Sequence, residues 1–269
     1  MKLAEEKIIS GTAFLTFPFM EQYGLFCGFT SRAKGFSKKP YDSLNLAFHV
    51  GDKRDAVIKN RQLVLEKLLK GNSRFLYSAR QVHGDHIIYV TGEIGHNDGD
   101  IGIDADGLMT DRKNIPVMVM GADCNLIILA DIKNRAVCTV HAGWKGTLNG
   151  IVIKALKALR KKFGSGPDDI MIFIGPCIRQ CCYEVDSDLA GRFSGRFGRG
   201  SYLISREEKL YLDLAGLNRK HVIDSGIPAG NIKDTGTCTG CNGKYYSYRK
   251  DKVTGRQAAI AMVAKKIRG

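Results

Sequence analysis

Two apolar segments near the middle of the chain constrain the fold more than any other feature. Leu126–Ala130 and Ala136–Val140 have the length and composition of buried strands. The segment between them, Asp131-Ile-Lys-Asn134, begins with Asp and ends with Asn, as tight turns favour. We therefore predict two strands joined by a tight turn, a β-hairpin.

The predicted hairpin brings a cysteine close to a histidine. If the turn is centred between Ile132 and Lys133, Cys124 and His141 are direct cross-strand partners with Cβ atoms about 5 Å apart. At this distance the two side chains can share a metal ion or form a Cys–His ion pair. The alternative is a buried cysteine beside a hydrogen-bonded core histidine, and a register slip would separate the pair.

His83, in Gln81-Val-His-Gly84, is the candidate for a third metal ligand. The neighbouring His86 competes with it, and the residues alone do not decide between them. A His/Cys/His set is one that zinc accepts, and three protein ligands leave a fourth position open, as in catalytic zinc sites.

The segment His141-Ala-Gly-Trp-Lys-Gly146 contains the only tryptophan and leads into a helical pattern. Glycines let the backbone pass close to a ligand, and Thr147 is suited to cap a helix that starts there. Free N–H groups at such a helix start, with Lys145 beside them, would make a phosphate site next to the metal. The alternative is that the glycines only make a tight turn between strand and helix.

The remaining pattern mixes strands with helices and predicts the α+β class, with mixed sheets covered by helices. Further strands are predicted near Ile87–Val90, Val117–Met120 and Met171–Ile174. Helices are predicted at Asp55–Lys70, Thr147–Phe163, Leu212–Ser225 and Gly255–Lys266. The Gly- and Arg-rich segment Gly191–Gly200 is expected to be a flexible loop.

The charge and the cysteine content limit the classes of function. The net charge of +14 is spread over small groups of basic residues, which favours attraction of phosphate or nucleotides over a dedicated nucleic-acid site. No long apolar run or secretory signal is visible, so we expect a cytoplasmic protein without a membrane span. Eight cysteines then argue for buried thiols or metal ligands rather than disulfides. Cys238-Thr-Gly-Cys241, with Cys177, Cys181 and Cys182 upstream, is compatible with a structural zinc site.

A series of short motifs, taken in order, resembles one bacterial family. The motifs are Tyr41-Asp-Ser-Leu-Asn-Leu46, His49-Val-Gly-Asp52, Asn60-Arg61, Gln81-Val-His-Gly84, Asp104-Ala-Asp-Gly107, Ala122-Asp-Cys124, His141-Ala-Gly-Trp-Lys-Gly146, Gly175-Pro-Cys-Ile178, Tyr183-Glu-Val185, Tyr246-Ser-Tyr-Arg-Lys-Asp251 and Thr254-Gly-Arg256. The family was once described as multicopper polyphenol oxidase or laccase-like. It is now associated with purine nucleoside phosphorylase and adenosine deaminase activity, and it includes the mammalian laccase-domain protein.

The resemblance implies a single domain over residues 1–269 with a four-layer αββα sandwich, related to Cys–His toxin deamidases. It implies zinc, or copper, bound by the positions of His83, Cys124 and His141, and prefers His83 over His86. It carries no structural zinc site at the other cysteines. Two departures bear on substrate preference: Asn125-Leu126 follows Cys124 where the family often has an apolar residue and proline, and Thr30–Gly35 lacks a double glycine.

The implied activity is phosphorolysis of adenosine, inosine and methylthioadenosine, and deamination of adenosine, with phosphate as co-substrate. Catalysis would use Cys124 and His141, with Asp123 as a candidate for moving a proton. Substrate contacts are expected from Asn45, Arg32, Arg61 and Lys145. For Asn45 and the arginines, turn stabilisation and surface salt bridges are the alternatives. Tyr245-Tyr-Ser-Tyr-Arg249 and Arg256 are further candidates for lining the cleft. The partners are therefore small molecules, and the oligomeric state is not predicted.

Three other functions remain open from the sequence. Cys124 activated by His141 could be the nucleophile of a metal-free hydrolase or amidase acting on a peptidoglycan precursor. A copper-dependent phenol oxidase is the second, although the histidines are few and dispersed. The third is a basic RNA-associated protein without enzymatic activity.

Overall fold

The computed structural model describes residues 5–9, 12–67, 69–71, 73–92 and 98–264. Its strands are β1 Glu5–Ile9, β2 Thr12–Thr16, β3 Leu25–Thr30, β4 Ser78–Arg80, β5 Ile87–Tyr89, β6 Asp100–Asp104, β7 Gly107–Thr110, β8 Val117–Gly121, β9 Asn125–Asp131, β10 Ala136–Ala142, β11 Ile170–Ile174, β12 Glu184–Val185, β13 Leu203–Arg206, β14 Lys209–Leu212, β15 Ile232–Asp234 and β16 Gln257–Val263. Its α-helices are α1 Arg54–Lys67, α2 Trp144–Leu148, α3 Ile151–Phe163, α4 Ser187–Phe197, α5 Leu214–Asp224 and α6 Tyr248–Asp251. Short 3₁₀ helices span Pro18–Tyr23, Phe48–Val50, Pro167–Asp169 and Ala229–Asn231.

Two large sheets form the centre of the molecule. The first sheet has the strand order β1-β2-β3-β16-β8 and is antiparallel throughout. The second sheet has the order β15-β11-β9-β10-β7-β5, with parallel pairs at its two edges. The α+β class with mixed sheets is therefore confirmed.

The packing arranges these sheets as the two middle layers of four. One apolar cluster lies between the sheets and includes Leu25, Phe29, Val119, Leu126, Ile128, Phe173 and Ala259. The outer face of the first sheet packs on α1 through Met118, Ile260, Met262, Val64 and Leu65. The outer face of the second sheet packs on α3 and α5 through Ile127, Leu129, Ile172, Val152, Ala155 and Val222. Neighbouring residues of β9 thus face opposite layers, as the two-residue period of a strand requires, and the layers have the order αββα.

The predicted hairpin exists, but its register differs from the prediction. His141 pairs with Leu126 rather than with Cys124, and the ladder ends at the pair of Ala142 and Asn125. The loop is longer by two residues, because Asp131 pairs with Ala136 rather than with Asn134, and Arg135 at its end has a left-handed φ of 54°. Its guanidinium donates to the carbonyls of Tyr23, Gly24 and Ala264, contacts that local sequence cannot reveal. The shift is two residues, so Cys124 and His141 stay on the same face.

The prediction of one helix over Thr147–Phe163 is wrong at its start. The chain forms two helices, and α3 begins after Gly150, which has a φ of 74°. Thr147 lies within α2 and does not cap a helix; its hydroxyl contacts the Ala142 carbonyl instead. The apolar face predicted for this segment is present in α3, where Ile151, Val152, Ala155, Leu156 and Leu159 are buried.

The helix predicted at Gly255–Lys266 is a strand, β16, as far as the structure describes that segment. All seven residues of β16 are buried, and the strand pairs with β3 and β8 near the middle of the first sheet. An apolar run buried on both faces has no two-residue alternation, which is why its pattern was compatible with a helix. The predicted helices at Asp55–Lys70 and Leu212–Ser225 are confirmed as α1 and α5.

The segment Gly191–Gly200 is not a loop over most of its length, because residues up to Phe197 belong to α4. Asp186 caps this helix by accepting a hydrogen bond from the Leu189 N–H at 2.7 Å. Phe193 is buried in one apolar cluster with Tyr202 and with Leu212, which belongs to a small three-stranded sheet of the order β12-β14-β13. This tertiary packing outweighs the low helix propensity of the two glycines. Within the described ranges, no helix is both long and apolar enough to cross a membrane.

Candidate metal centre

Three side chains from separate segments meet near the start of β9 and the end of β10. Cys124 lies where the chain crosses from β8 to β9, His141 is on β10, and His83 follows β4. One potential ligand atom from each lies within 4.8 Å of the others. Cys124 Sγ is 4.0 Å from His83 Nε2, and the imidazole rings are 4.8 Å apart at 78°. His86 is not part of this group; its Nδ1 is 2.9 Å from the Asp104 carbonyl oxygen.

Burial decreases across the group from core to solvent. His141 is buried, Cys124 is half-buried and His83 is exposed. A ligand can therefore approach the group from solvent on the side of His83. A His/Cys/His set matches what zinc or copper binds, and a site of three protein ligands leaves room for a substrate.

Asp106 holds two of the three donors in place. Its Oδ1 accepts from His141 Nδ1 at 2.7 Å, which leaves Nε2 as the nitrogen available to a metal. The same carboxylate accepts from the backbone N–H groups of Val82, His83 and Gly84 at 3.2, 3.1 and 2.6 Å. A carboxylate that orients a metal-binding histidine in this way is a common feature of zinc sites.

The loop that carries His83 is also tied to the first sheet. The side-chain amide of Gln81 donates to the Met120 carbonyl and accepts from the Met120 N–H, both at 2.7 Å. His83 itself has a left-handed φ of 59°, and Asp123 has one of 91°. A left-handed φ costs free energy in a non-glycine residue, and the surrounding contacts must offset this cost. The backbone is therefore held in an unfavourable conformation at His83 and next to Cys124.

Gly143 keeps the space between the donors free of side chain. A Cβ added there would lie 3.2 Å from Cys124 Sγ, 3.1 Å from His83 Cδ2 and 3.9 Å from His141 Cε1. Any larger residue would project into the group of ligands. Gly146 serves packing instead, because a Cβ there would come within 3.0 Å of the Gly84 carbonyl oxygen.

The three groups strongly affect one another's charge. Burial would raise the pKa of Cys124, but His141 and His83 outweigh it and lower the pKa to about 6. Burial would lower the pKa of His141, but Cys124 and Asp106 raise it to about 9. Burial would likewise raise the pKa of Asp106, and its hydrogen bond from His141 keeps the pKa below the usual value. Without a metal, the arrangement therefore favours a thiolate beside an imidazolium near neutral pH.

Asp123 links the segments around Cys124. Its Oδ1 accepts from the Thr239 hydroxyl and its Oδ2 from the Arg249 N–H, both at 2.6 Å. Its carbonyl accepts from the Ile178 N–H at 2.9 Å. These contacts position the Cys124 turn; a role of Asp123 in proton transfer stays a prediction.

Two of the predicted substrate residues have mainly internal partners. Asn45 is fully buried, donates to Ala47 and Asp52, and accepts from the Arg256 N–H at 3.0 Å. Arg61 is buried, donates to the carbonyls of Leu46 and Asp98 at 3.0 Å, and burial lowers its pKa to about 10. Substrate contact by either residue stays a prediction.

The other two predicted residues are more accessible. Arg32 is ion-paired with Asp42 and Asp251, and its guanidinium carbon lies 4.9 Å from the centre of the Tyr246 ring. Lys145 is exposed at the start of α2, with Nζ 5.4 Å from the Trp144 ring. Because α2 has only five residues and Thr147 does not cap it, Lys145 remains the main feature of the predicted phosphate site.

Asp106 was not among the residues predicted for the site, and Arg256 was only a further candidate for lining the cleft. The glycines after His141 were expected to let the backbone pass close to a ligand, and Gly143 does so. Arg256 is half-buried and lies close enough to Cys124 and Asp123 for both charges to act on it, although burial lowers its pKa. The exposed ring of Tyr248 is 5.9 Å from the Arg256 guanidinium carbon, whereas Tyr246 is fully buried. One feature of the sequence could have pointed to Asp106: it is an acidic residue directly before Gly107, where β7 begins.

Sequence comparison agrees with the resemblance noted above. Residues 26–264 match the family model described as multi-copper polyphenol oxidoreductase laccase. The purine nucleoside phosphorylase YlmD of Bacillus subtilis is 33% identical over 241 residues, covering 87% of this chain and 86% of that protein. The purine nucleoside phosphorylase YfiH of Escherichia coli is 30% identical over 233 residues, covering 86% and 90%.

Solved structures give the same assignment. YlmD from Geobacillus stearothermophilus superposes with a TM-score of 0.88 at 29% identity, covering 98% of this chain and 99% of that one. The hypothetical protein YfiH of Bacillus licheniformis has a TM-score of 0.85 at 33% identity, covering 94% and 96%. With this fold and this extent of similarity, the chain belongs to the multi-copper polyphenol oxidoreductase laccase family, several members of which are named purine nucleoside phosphorylases.

Proposed function

We propose that this chain is a metal-dependent purine nucleoside enzyme. It splits adenosine, inosine and methylthioadenosine with phosphate and also deaminates adenosine. The observation that carries the proposal is the group of His83, Cys124 and His141, kept open by Gly143. The names of its relatives support the phosphorylase reaction.

His83, Cys124 and His141 would hold the metal, which we propose to be zinc, with copper as the alternative. The donor types suit either ion. The metal would supply Lewis-acid polarisation of a substrate atom or a water molecule. Asp106 fixes the tautomer of His141 so that Nε2 points at the group of donors.

The chain itself must hold phosphate against the ribose and stabilise the departing purine. We propose Lys145 and Arg256 as the principal phosphate contacts, because one is exposed beside Gly143 and the other is near Cys124. A guanidinium group matches phosphate oxygens through paired hydrogen bonds. The exposed Tyr248 ring beside Arg256 offers a surface for stacking the purine.

The remaining predicted residues would support these contacts. Arg32 can turn from its ion pairs towards an anionic ligand. Asn45 would act mainly by holding the backbone at Arg256, and Arg61 by packing on the ring of Phe48. Asp123 would receive or return a proton during deamination if a substrate displaces one of its two hydrogen bonds.

The test compares His83→Ala with His86→Ala. Both substitutions remove a histidine from the same loop region, but only His83 belongs to the group. Protein loaded with zinc or copper is assayed on the three nucleosides with and without phosphate, alongside Cys124→Ala. We expect phosphate-dependent release of purine base by the wild type and His86→Ala, and its loss in the other two variants. Metal-loaded wild type that is inert towards all three nucleosides would refute the proposal.

A metal-free Cys–His hydrolase is the second candidate. It is favoured by the low pKa of Cys124 and by the order Cys124, His141 and Asp106, which resembles a nucleophile, a base and an orienting carboxylate. Such an enzyme would act on amides, for example in a peptidoglycan precursor. Full activity after chelation, abolished by alkylation of Cys124, would establish it in place of the metal enzyme.

Oxidation of phenols, which the family description suggests, has less support. Laccase chemistry needs several copper ions held largely by histidines. Among the described residues, the two groups that could hold a metal are the His/Cys/His group and a group of four cysteines. We therefore assign the centre to nucleoside chemistry.

A further inference from the structure

A second cluster of potential metal ligands lies outside the proposed active centre. The sulfur atoms of Cys181, Cys182, Cys238 and Cys241 all lie within 4.8 Å of one another. Cys181 and Cys182 follow β11, and Cys238 and Cys241 follow β15, so the two pairs come from neighbouring connections of the second sheet. Cys177 is not a member: its buried Sγ accepts from Asn125 Nδ2 at 3.5 Å.

The backbone presents the two pairs on facing turns. The Cys182 N–H donates to the Arg179 carbonyl at 2.9 Å, and the Asn242 N–H donates to the Cys238 carbonyl at 3.0 Å. Gly240 allows the turns to approach, because a Cβ there would lie 3.0 Å from Cys182 Sγ. Paired cysteines on opposed turns are the usual construction of a four-thiolate zinc site.

The sulfur contacts fit a shared centre better than a disulfide. Cys241 Sγ is 3.2 Å from Cys182 Sγ and 3.6 Å from Cys181 Sγ, so it has two partners rather than one. A disulfide would use two sulfurs and leave two without a function. Four sulfurs around one point are what a tetrahedral ion requires.

One backbone N–H group donates to a sulfur of the cluster, and the guanidinium group of Arg206 lies beside it. The Arg179 N–H donates to Cys238 Sγ at 3.4 Å, and the Arg206 guanidinium donates to the Cys181 carbonyl at 3.3 Å. The Arg179 side chain lies on the same loop, paired with Asp234. Hydrogen bonds to sulfur and nearby cations stabilise thiolates bound to zinc.

We propose that Cys181, Cys182, Cys238 and Cys241 bind a structural zinc ion. The ion joins the two turns that form one wall of the candidate active centre. Thr239, between the cysteines of one turn, donates to Asp123, the residue before Cys124. Tyr183, directly after the other pair, packs under the Arg249 guanidinium at 5.3 Å.

The test counts zinc in protein purified under reducing conditions, reconstituted with zinc alone and then freed of excess ion. The wild type should bind two equivalents. Cys181→Ser with Cys241→Ser changes two exposed ligands and should leave one equivalent. Cys124→Ala should also leave one equivalent, which is bound by the four cysteines. Cys177→Ala is the matched control, and it should keep both equivalents. Two equivalents in the double variant would overturn the proposal.

Cobalt gives a second measurement that does not depend on folding of the double variant. Cys124→Ala protein loaded with Co²⁺ should show the intense thiolate-to-cobalt charge-transfer absorption of a tetrahedral four-sulfur site. Absence of this absorption, iron in place of zinc in the purified protein, or a Cys182–Cys241 disulfide found by mass spectrometry would each overturn the proposal. The result is separate from the proposed nucleoside activity, because Cys124→Ala removes only the other centre.

Discussion

At the scale of single residues, Asp106 connects the two histidines of the candidate centre. The carboxylate accepts from His141 Nδ1 and from three backbone N–H groups of the His83 loop. Asp106 is fully buried, so water cannot take the place of its carboxylate as the hydrogen-bond acceptor. The geometry of the centre therefore depends on a residue that does not itself belong to the group of ligands.

Asp106→Asn is expected to weaken zinc binding by about 10- to 100-fold, the usual effect of losing a carboxylate behind a histidine ligand. The amide cannot accept on both sides as the carboxylate does. Competition with a coloured chelator measures the affinity. Asp104→Asn is the control, because Asp104 is exposed and pairs with Arg80. Equal affinities in the two variants would contradict this role of Asp106.

The thiol of Cys124 should be reactive at a lower pH than an ordinary cysteine. In metal-free protein its pKa of about 6 keeps the thiolate present at neutral pH and above, and the thiolate is lost as the pH falls through 6. We expect alkylation by iodoacetamide, followed on the Cys124 peptide by mass spectrometry, to be half-maximal near pH 6. Zinc should protect the thiol. A midpoint near that of a free thiol, about 8.5, would argue against the ion pair.

At the scale of secondary-structure elements, α4 forms despite two exposed glycines in its interior. A methyl group added at Gly191 or Gly195 would meet no other atom within 4 Å, and neither residue has a left-handed φ. The helix is held by its Asp186 cap and by burial of Ala190 and Phe193. Tertiary packing therefore compensates for the weak intrinsic propensity of the sequence.

Gly191→Ala and Gly195→Ala should each stabilise the protein by about 0.5–1 kcal/mol, because alanine loses less backbone entropy in a helix. Urea unfolding measures the change in the free energy of unfolding. Gly198→Ala is the control: Gly198 ends the helix with a φ of 74°, so alanine there should destabilise. Stabilisation by all three would contradict the helix boundary.

The elements also show where local patterns are insufficient. The helix α3 was predictable because its apolar residues recur on one face. The strand β16 was not, because all of its residues are buried. An apolar run without a two-residue or 3.6-residue period fits both a strand and a helix. The rest of the chain decides which of the two forms, because it decides which neighbours cover the segment.

At the scale of the whole molecule, metal binding should couple to global stability. Both proposed centres join segments from distant parts of the chain, so an ion that binds only the folded state stabilises it. At a free ion concentration of about 100 times the dissociation constant, one site contributes about 2.7 kcal/mol. The contribution is lost when the ion is removed.

Chelation of the zinc-loaded wild type should therefore lower Tm by several degrees, measured by circular dichroism. The variant that combines Cys124→Ala with Cys181→Ser lacks a ligand in each centre, so its Tm should hardly respond to chelator. A wild type whose Tm is the same with and without chelator would contradict the coupling at both centres.

The sequence by itself determined the α+β class, the central hairpin, the helices α1 and α5 and the chemical types of the candidate ligands. These follow from periodicity and from side-chain chemistry, which are local properties. Family motifs then favoured His83 over His86. Only the tertiary structure decided the register of the hairpin, the strand identity of β16, the role of Asp106 and the meeting of four cysteines. Each of these depends on contacts between segments far apart in the chain, and no local pattern encodes such contacts.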